Sequence, residues 1–411
     1  MIREEMKKIW RPGMLLALVI LGLVFYTMFL EFYIRYFPNG PYNTGVVEIS
    51  AQLIQKYGTS ISEAEMEEFE QGLPKLRRQA DQYVRESEPG KKYGLHTYKQ
   101  YDAFCRKATE EASQNGETAD QNKRYADAMR MHNYLQGDET NNIEGRLYAA
   151  SWFVEIYRAR KEQGADLENC SNQKERDHAS FFYGKDKKWQ NLLPQEVPET
   201  TSDYMGYLLI WICLSVCILL SPSPVCDRMN RMRALQYSSK RGRNIYHSQF
   251  AAVMLSAFLV TTANFTVFLG LFLKNGTAVF FPCKMYSFAV MQLSWPNWTY
   301  GVWCLMLLMI GYLVAFGTAG LVFFLSYKSG NYIIMMLRVA PLGIFLAVFC
   351  PKLMENAFYF NNPLYRVSGI AYVELLAAGV VFLVGMCCSS YFFIIFADIV
   401  SKRRAGRTYD W

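Results

Sequence analysis

The chain has no phosphate-binding loop. A G-x-x-x-x-G-K-[ST] motif cradles phosphates with successive backbone amides, yet Gly90-Lys91 has Arg85 at the first-glycine position and Gly184-Lys185 has Ala179 there. ATP hydrolysis by that route is excluded. Histidine is scarce: His96, His132, His178 and His247 are scattered, and neither H-E-x-x-H nor G-x-S-x-G occurs. The ten cysteines include no C-x-x-C pair, so the usual zinc-finger spacing is missing as well. These absences argue against an enzyme and against a cofactor or metal. Charge is also sparse, at 19% of residues. The net +7 comes from basic residues that flank apolar segments, which is the pattern of membrane topology rather than of nucleic-acid binding.

Long apolar runs are abundant. With 52% hydrophobic residues, the mean hydropathy of +0.01 conceals an alternation of polar and apolar stretches. A helix needs about 20 apolar residues to cross roughly 30 Å of hydrocarbon. Six segments satisfy this: 13–36, 204–222, 249–273, 301–325, 332–351 and 375–400. The expected fold is an all-α integral membrane protein with a large, mostly helical insertion at 37–203. Short connections fill 223–248, 274–300, 326–331 and 352–374, with an N-terminal segment at 1–12 and a tail at 401–411. Arg3, Lys7, Lys8 and Arg11 precede the first run and no small-x-small cleavage site follows it, so it reads as a retained anchor. Basic residues cluster at 1–12, 227–243, 326–331 and 401–411, all on one side of a six-span topology, and the positive-inside bias makes that side cytoplasmic. The insertion is then expected outside.

Inside the insertion, Ser62-x-x-Glu65 is a capping box flanked by Ile61 and Met66 as a hydrophobic staple, which predicts a helix beginning near Ser62. Ile143, Leu147, Tyr148, Phe153 and Ile156, with Trp152 beside them, recur at helical spacing, and Gly164 supplies a stop. Cys105 and Cys170 are candidates for a disulfide if the region lies in an oxidising compartment.

The basic connection after the second run has two readings. It is a topogenic loop, or it forms a short amphipathic helix at the membrane surface, because Met229, Met232 and Leu235 recur at helical spacing beside arginines. Its pattern resembles the ABC-2 type permeases: an acidic residue, a leucine, a small-residue pair and a Gly-Arg, here Asp227, Leu235, Ser238, Ser239, Gly242 and Arg243. In that family Glu is usual at the position of Asp227, glycine is frequent at Arg231, and a lysine often stands at Gln249. The overall layout is also similar, with an isolated first span, a large outer insertion and five further spans. The resemblance implies a six-span transport subunit of a bacterial cytoplasmic membrane. It also implies a separate cassette ATPase as partner, and a second six-span permease subunit, as homodimer or heterodimer, in the lipid bilayer. The segment with Asp227, Arg228, Arg231, Met232 and the residues through Arg243 would be the coupling element that meets the ATPase.

Other features take meaning from this frame. Gly311, Ala315 and Ala319 fall four apart on one face of the fourth run and allow close helix packing. Arg338 lies near the start of the fifth run, where it either snorkels to the interface or pairs with a carboxylate, and Pro341 is expected to kink that helix or end its first half. The aromatic-rich connections 274–300 and 352–374 are expected at headgroup level, in segments that are re-entrant or interfacial. The rival function is a multi-span sensor or scaffold whose outer domain binds a ligand or an envelope protein.

Overall fold

A computed structural model describes residues 1–113, 118–137, 142–163, 170–183, 189–232 and 245–404. Two compact units emerge, one made of Met1–Arg35, Glu199–Thr277 and Val302–Trp411, the other of Tyr36–Pro198 and Ala278–Gly301. No strand forms among the described residues; the only pairings outside helices are two isolated bridges.

The first unit contains the six helices long and apolar enough to cross a membrane: Pro12–Arg35, Glu196–Met229, Ile245–Asn275, Tyr300–Lys328, Tyr332–Met354 and Val373–Ser390. The protein is an all-α multi-pass membrane protein. Burial separates the spans into a centre and a rim: 83% of the apolar window of the second span is buried, against 11% in the first and 17% in the fifth. Lipid tails are as apolar as leucine, so close packing and interhelical hydrogen bonds, not water exclusion, hold such a centre together. The second span supplies both. Trp211 lies flat against Gly22 of the first span, where an added methyl would sit 3.0 Å from the indole. Its Nε1 donates to Asn264 Oδ1 of the third span at 2.7 Å. Beside this contact the first span widens into π-helix over Tyr26–Leu30.

The fourth and sixth spans touch through backbone. A Cβ on Gly317 would meet the Val381 carbonyl, one on Gly320 the Gly385 carbonyl, and one on Gly385 the Gly317 carbonyl. Ser389 Oγ ties this crossing to the Gly320 carbonyl at 2.9 Å. In the connection between the fifth and sixth spans, Phe358, Tyr359, Phe360 and Tyr365 are buried within the chain. Glu374 accepts from the Phe358 amide at 2.8 Å, and Trp303 Nε1 donates to the Ala357 carbonyl at 2.9 Å.

The second unit is helical and polar on its surface. Its main elements are α1 (Pro41–Tyr57), α2 (Glu63–Glu86), α3 (Tyr98–Ala112), α4 (Ala119–Gln136), α5 (Ile143–Gln163) and α6 (Gln173–Tyr183). Ser62 caps α2 as its sequence predicts, with the Ser62 amide donating to Glu65 Oε2 at 2.7 Å. Ile61 and Met66 are both buried beside it. Thr97 with Gln100 and Thr118 with Gln121 make the same box at α3 and α4. Helices α1 and α5 cross at Gly45 and Gly145, where a Cβ on either would strike the other strand of backbone. The predicted stripe on α5 buries Ile143, Leu147 and Phe153 but leaves Tyr148 half exposed, while Gly164 lies outside the described residues. Ile143 and Leu147 pack with Ala80, Val84, Tyr101, Met131 and Leu135 into one core.

Residues 278–301 join this unit, where the sequence suggested an interfacial connection. Asn191 organises them: its Oδ1 accepts from the Lys284 amide at 2.9 Å, and its carbonyl accepts from Ser287 Oγ at 2.6 Å. Phe288 then stacks edge-on against Phe153 and Tyr157. Cys105 carries a free thiol, so the disulfide with Cys170 is not made. Its side chain is instead turned toward the core that contains Tyr101.

A candidate coupling site at the end of the second span

The second span does not stop where its apolar run stops. Pro222 sits in the first turn of a further helical piece, Pro222–Met229, and proline there sacrifices no hydrogen bond. Asp227 therefore lies in the last turn of a helix, held in place by the span itself. It is only 6% exposed. Chain direction changes just beyond, where Arg231 adopts φ 54° in the left-handed region. The amphipathic helix expected from Met229 through Leu235 is broken at that point. Met229 and Met232 are exposed, as is Arg231. Leu235, Ser238, Ser239, Gly242 and Arg243 lie outside the described residues.

A buried carboxylate needs a charge partner or several donors. Asp227 has both. Lys8 Nζ lies 3.0 Å from its Oδ2, and Gln249 Nε2 donates to the same oxygen at 2.8 Å. Lys8 also binds Glu5 at 2.8 Å, one turn earlier on the amphipathic N-terminal helix Ile2–Ile9. Burial works against the charge of Lys8, but Glu5 and Asp227 outweigh it and hold its pKa above the ordinary lysine value. One ammonium thus joins two carboxylates, and the N-terminal helix is fastened to both the second and the third span. Trp10 reinforces the joint, its Nε1 donating to Ser256 Oγ of the third span at 2.9 Å.

Arg228 faces the other way. Its Nη1 donates to the carbonyls of Lys328 and Ser329 at 3.2 and 3.4 Å, at the C-terminus of the fourth span, where unpaired carbonyls and the helix dipole favour a cation. Tyr246, at the start of the third span, donates to the Ser389 carbonyl of the sixth at 2.6 Å. Asp227 and Arg228 are adjacent residues that together reach the N-terminal helix and two spans beyond their own.

The remaining sites predicted from sequence fall elsewhere. Gly311 faces the Phe265 ring of the third span, with no room for a Cβ, and Ala315 and Ala319 are buried on the same helix, so this face packs within the chain. Arg338 and Pro341 lie on the exposed side of the fifth span. Pro341 does not end that helix, which runs unbroken through Pro341 and Pro351 to Met354. Sequence reasoning missed the roles of Lys8 and Gln249. Lys8 reads as one more topogenic charge, and only an amphipathic reading of residues 2–9 separates it from Lys7, which is exposed and paired with Glu4. The Gly317, Gly320 and Gly385 crossing was also missed, although Gly-x-x-Gly within an apolar run was a visible signal.

No curated protein and no solved structure matches the chain. The profile described as an ABC-2 family transporter protein matches residues 9–370. That region takes in five of the six spans, the whole polar unit, and Asp227 with Gln249, while Lys8 and Glu5 lie just before it. The chain belongs to the ABC-2 family and is a membrane-embedded component of a transporter.

Proposed function

We propose that this chain is the permease subunit of an ATP-driven transporter in the bacterial cytoplasmic membrane, powered by a separate cassette ATPase that docks on residues 227–243. Both termini face the cytoplasm and the polar unit faces outward, which gathers the basic segments on the ATPase side. A second six-span subunit, identical or related, completes the pathway along a shared interface. The fifth span favours this pairing. Ile333, Met336, Leu337 and Ile344 are more than half exposed or nearly so, and Arg338 sits among them. A guanidinium at such a position is costly in hydrocarbon and is best placed against a partner or the interface.

The observation that carries the coupling is the Asp227 network. A displacement of the chain beyond Met229 pulls on the N-terminal helix through Lys8, on the third span through Gln249 and on the fourth through Arg228. One short segment therefore has leverage on several helices, as a protein without its own ATPase requires. The test is purification from native membranes followed by reconstitution in nanodiscs. A P-loop ATPase is expected to accompany the chain and to turn over ATP faster with it than alone. Asp227→Asn is expected to leave that complex intact and to abolish most of the stimulation. Absence of any accompanying ATPase, or full stimulation by the variant, would overturn the reading.

A further inference from the structure

The polar unit contains a cleft of about 700 Å³ that the coupling reading does not use. It opens between α3, α4 and α5, with Tyr42 of α1 at one edge. Its charge is uneven: Asp102, Glu110 and Glu144 line it against a single guanidinium, Arg106, which is itself paired with Asp102. Tyr42 and Tyr101 give the wall its aromatic character.

Glu144 is the unusual member. It is 4% exposed, in the first turn of α5, where the crossing at Gly145 fixes the backbone. No lysine or arginine pairs with it among the described residues. Its Oε1 receives the hydroxyls of Tyr98 and Tyr101, both at a long 3.4 Å. Its buried Oε2 accepts no well-aligned hydrogen bond and faces His132 Nδ1 at 2.9 Å. The ring in turn meets the Gln136 side-chain amide through Nε2. Burial holds the Glu144 carboxyl above the usual glutamate range, opposed by His132 and by the three tyrosine hydroxyls of Tyr42, Tyr98 and Tyr101. The adjacent Cys105 thiol is pushed up to about 11 by burial and contributes no charge.

We infer that this cleft binds an organic cation, an alkyl- or arylammonium whose positive centre sits between the tyrosine rings and the Glu144 carboxylate. Aromatic faces attract ammonium ions through the ring quadrupole, and the attraction grows when the site is desolvated. A buried carboxylate without a fixed cation supplies the rest. A metal ion fits poorly, because calcium needs six or more converging oxygens, and no cluster of three acidic, histidine or cysteine ligands exists among the described residues. The cleft is large enough for a ligand with an apolar body, in the range of small-molecule sites.

The test uses the purified full chain in nanodiscs and titration calorimetry with choline and benzyltrimethylammonium. The neutral isostere 3,3-dimethylbutan-1-ol controls for shape. Saturable binding is expected for at least one ammonium ion, at least tenfold tighter than for the isostere, and Glu144→Gln is expected to weaken it at least tenfold. Tyr101→Phe keeps the ring and is expected to stay within threefold of wild type, whereas Tyr101→Leu loses most of the affinity. If Glu144→Gln does not fold, Glu110→Gln on the exposed rim serves as the second charge variant, with a twofold to threefold loss expected. The inference fails if neither ammonium ion binds up to about 10 mM, where a complex is worth less than roughly 3 kcal/mol. Equal binding of choline and its isostere, or a folded Glu144→Gln chain with wild-type affinity, would overturn it equally. None of these outcomes depends on transport or on an ATPase.

Discussion

Asp227 and Glu144 are both buried carboxylates, and the two regions of the molecule treat them in opposite ways. In the membrane unit Asp227 is given a permanent cation at 3.0 Å and an amide donor at 2.8 Å. In the polar unit Glu144 receives only neutral hydroxyls at 3.4 Å and an imidazole at 2.9 Å. A fixed cation makes a closed joint, whose energy is spent on holding helices together. A carboxylate without one is a local strain that a visiting cation can relieve. The contrast separates a mechanical element from a receptive one inside a single chain, and it can be broken experimentally.

The largest effect is expected at Lys8. Removing it leaves Glu5 and Asp227 facing each other with no ammonium between them, and breaking a buried pair from one side costs several kcal/mol. Lys8 is itself 29% exposed, so a loss of about 2–3 kcal/mol is expected for Lys8→Met, discounted for solvent screening. Thermal unfolding in detergent measures it. Adding Asp227→Asn to the same chain should recover a large part of the loss, because the orphaned charge is gone. If the two substitutions are simply additive, Lys8 and Asp227 are not a joint. Gln249→Leu comes next, at about 1–2 kcal/mol, since it leaves Asp227 short of a donor without stranding a charge. A lysine at 249 would test the same oxygen from the other direction: Gln249→Lys brings a second ammonium to a site where Lys8 already serves, and it is expected to lower the cost of Lys8→Met.

How much of this was legible in the sequence differs between the two regions for a physical reason. Spans depend on composition over some 20 residues, so all six were readable from apolar runs, as was the α2 start from Ser62 and Glu65, which are local in the chain. The joint was half readable. Asp227 stood out through the family pattern, but its partners lie 219 and 22 residues away in sequence, and only the amphipathic pattern of residues 2–9 sets Lys8 apart from Lys7. The Glu144 cleft was not readable at all. Tyr42, Tyr101, His132 and Glu144 come from four helices, and only the crossing of α1 and α5 at Gly45 and Gly145 brings the first and last together. In the connection at 274–300, aromatic composition suggested the headgroup layer, whereas the hydrogen bonds by which Asn191 holds Lys284 and Ser287 are not revealed by composition.

Glu144→Gln should have a smaller effect on stability, and with the sign reversed. A carboxyl whose folded pKa is raised favours folding while protonated, and that contribution is lost as pH rises through the folded value. The wild-type polar unit is therefore expected to lose stability as pH rises from the usual glutamate range through the folded value, while Glu144→Gln, always neutral, shows a flatter profile and unfolds at a higher temperature once the wild-type carboxyl is ionised. A residue that served only to hold the fold would destabilise it when replaced. Fluorescence-monitored unfolding across a pH series upward from the usual glutamate range tells these apart, and a Glu144→Gln chain less stable throughout would remove the contrast with Asp227.

The smallest effect sharpens the same comparison within the polar unit. Asp127 on α4 does have a fixed cation, Lys92, at 2.5 Å, with the Tyr93 hydroxyl at 2.8 Å. The Lys92 hydrogen bond holds its pKa below the ordinary aspartate value, against the opposing pull of burial. The sign is opposite to that of Glu144: a depressed pKa gives stability that is present above the unfolded aspartate value and is lost as pH falls through the folded one. Asp127→Asn is thus expected to lower the unfolding temperature modestly at pH 7, with the difference vanishing in acid. Lys92 is at the surface, so high salt should shrink the difference further, because exposed pairs are screened. Glu144→Gln and Asp127→Asn should then converge on wild type from opposite sides on acidification, the first losing its advantage and the second losing its deficit. Parallel responses would mean that the presence or absence of a fixed cation does not govern how this chain tolerates a buried carboxylate.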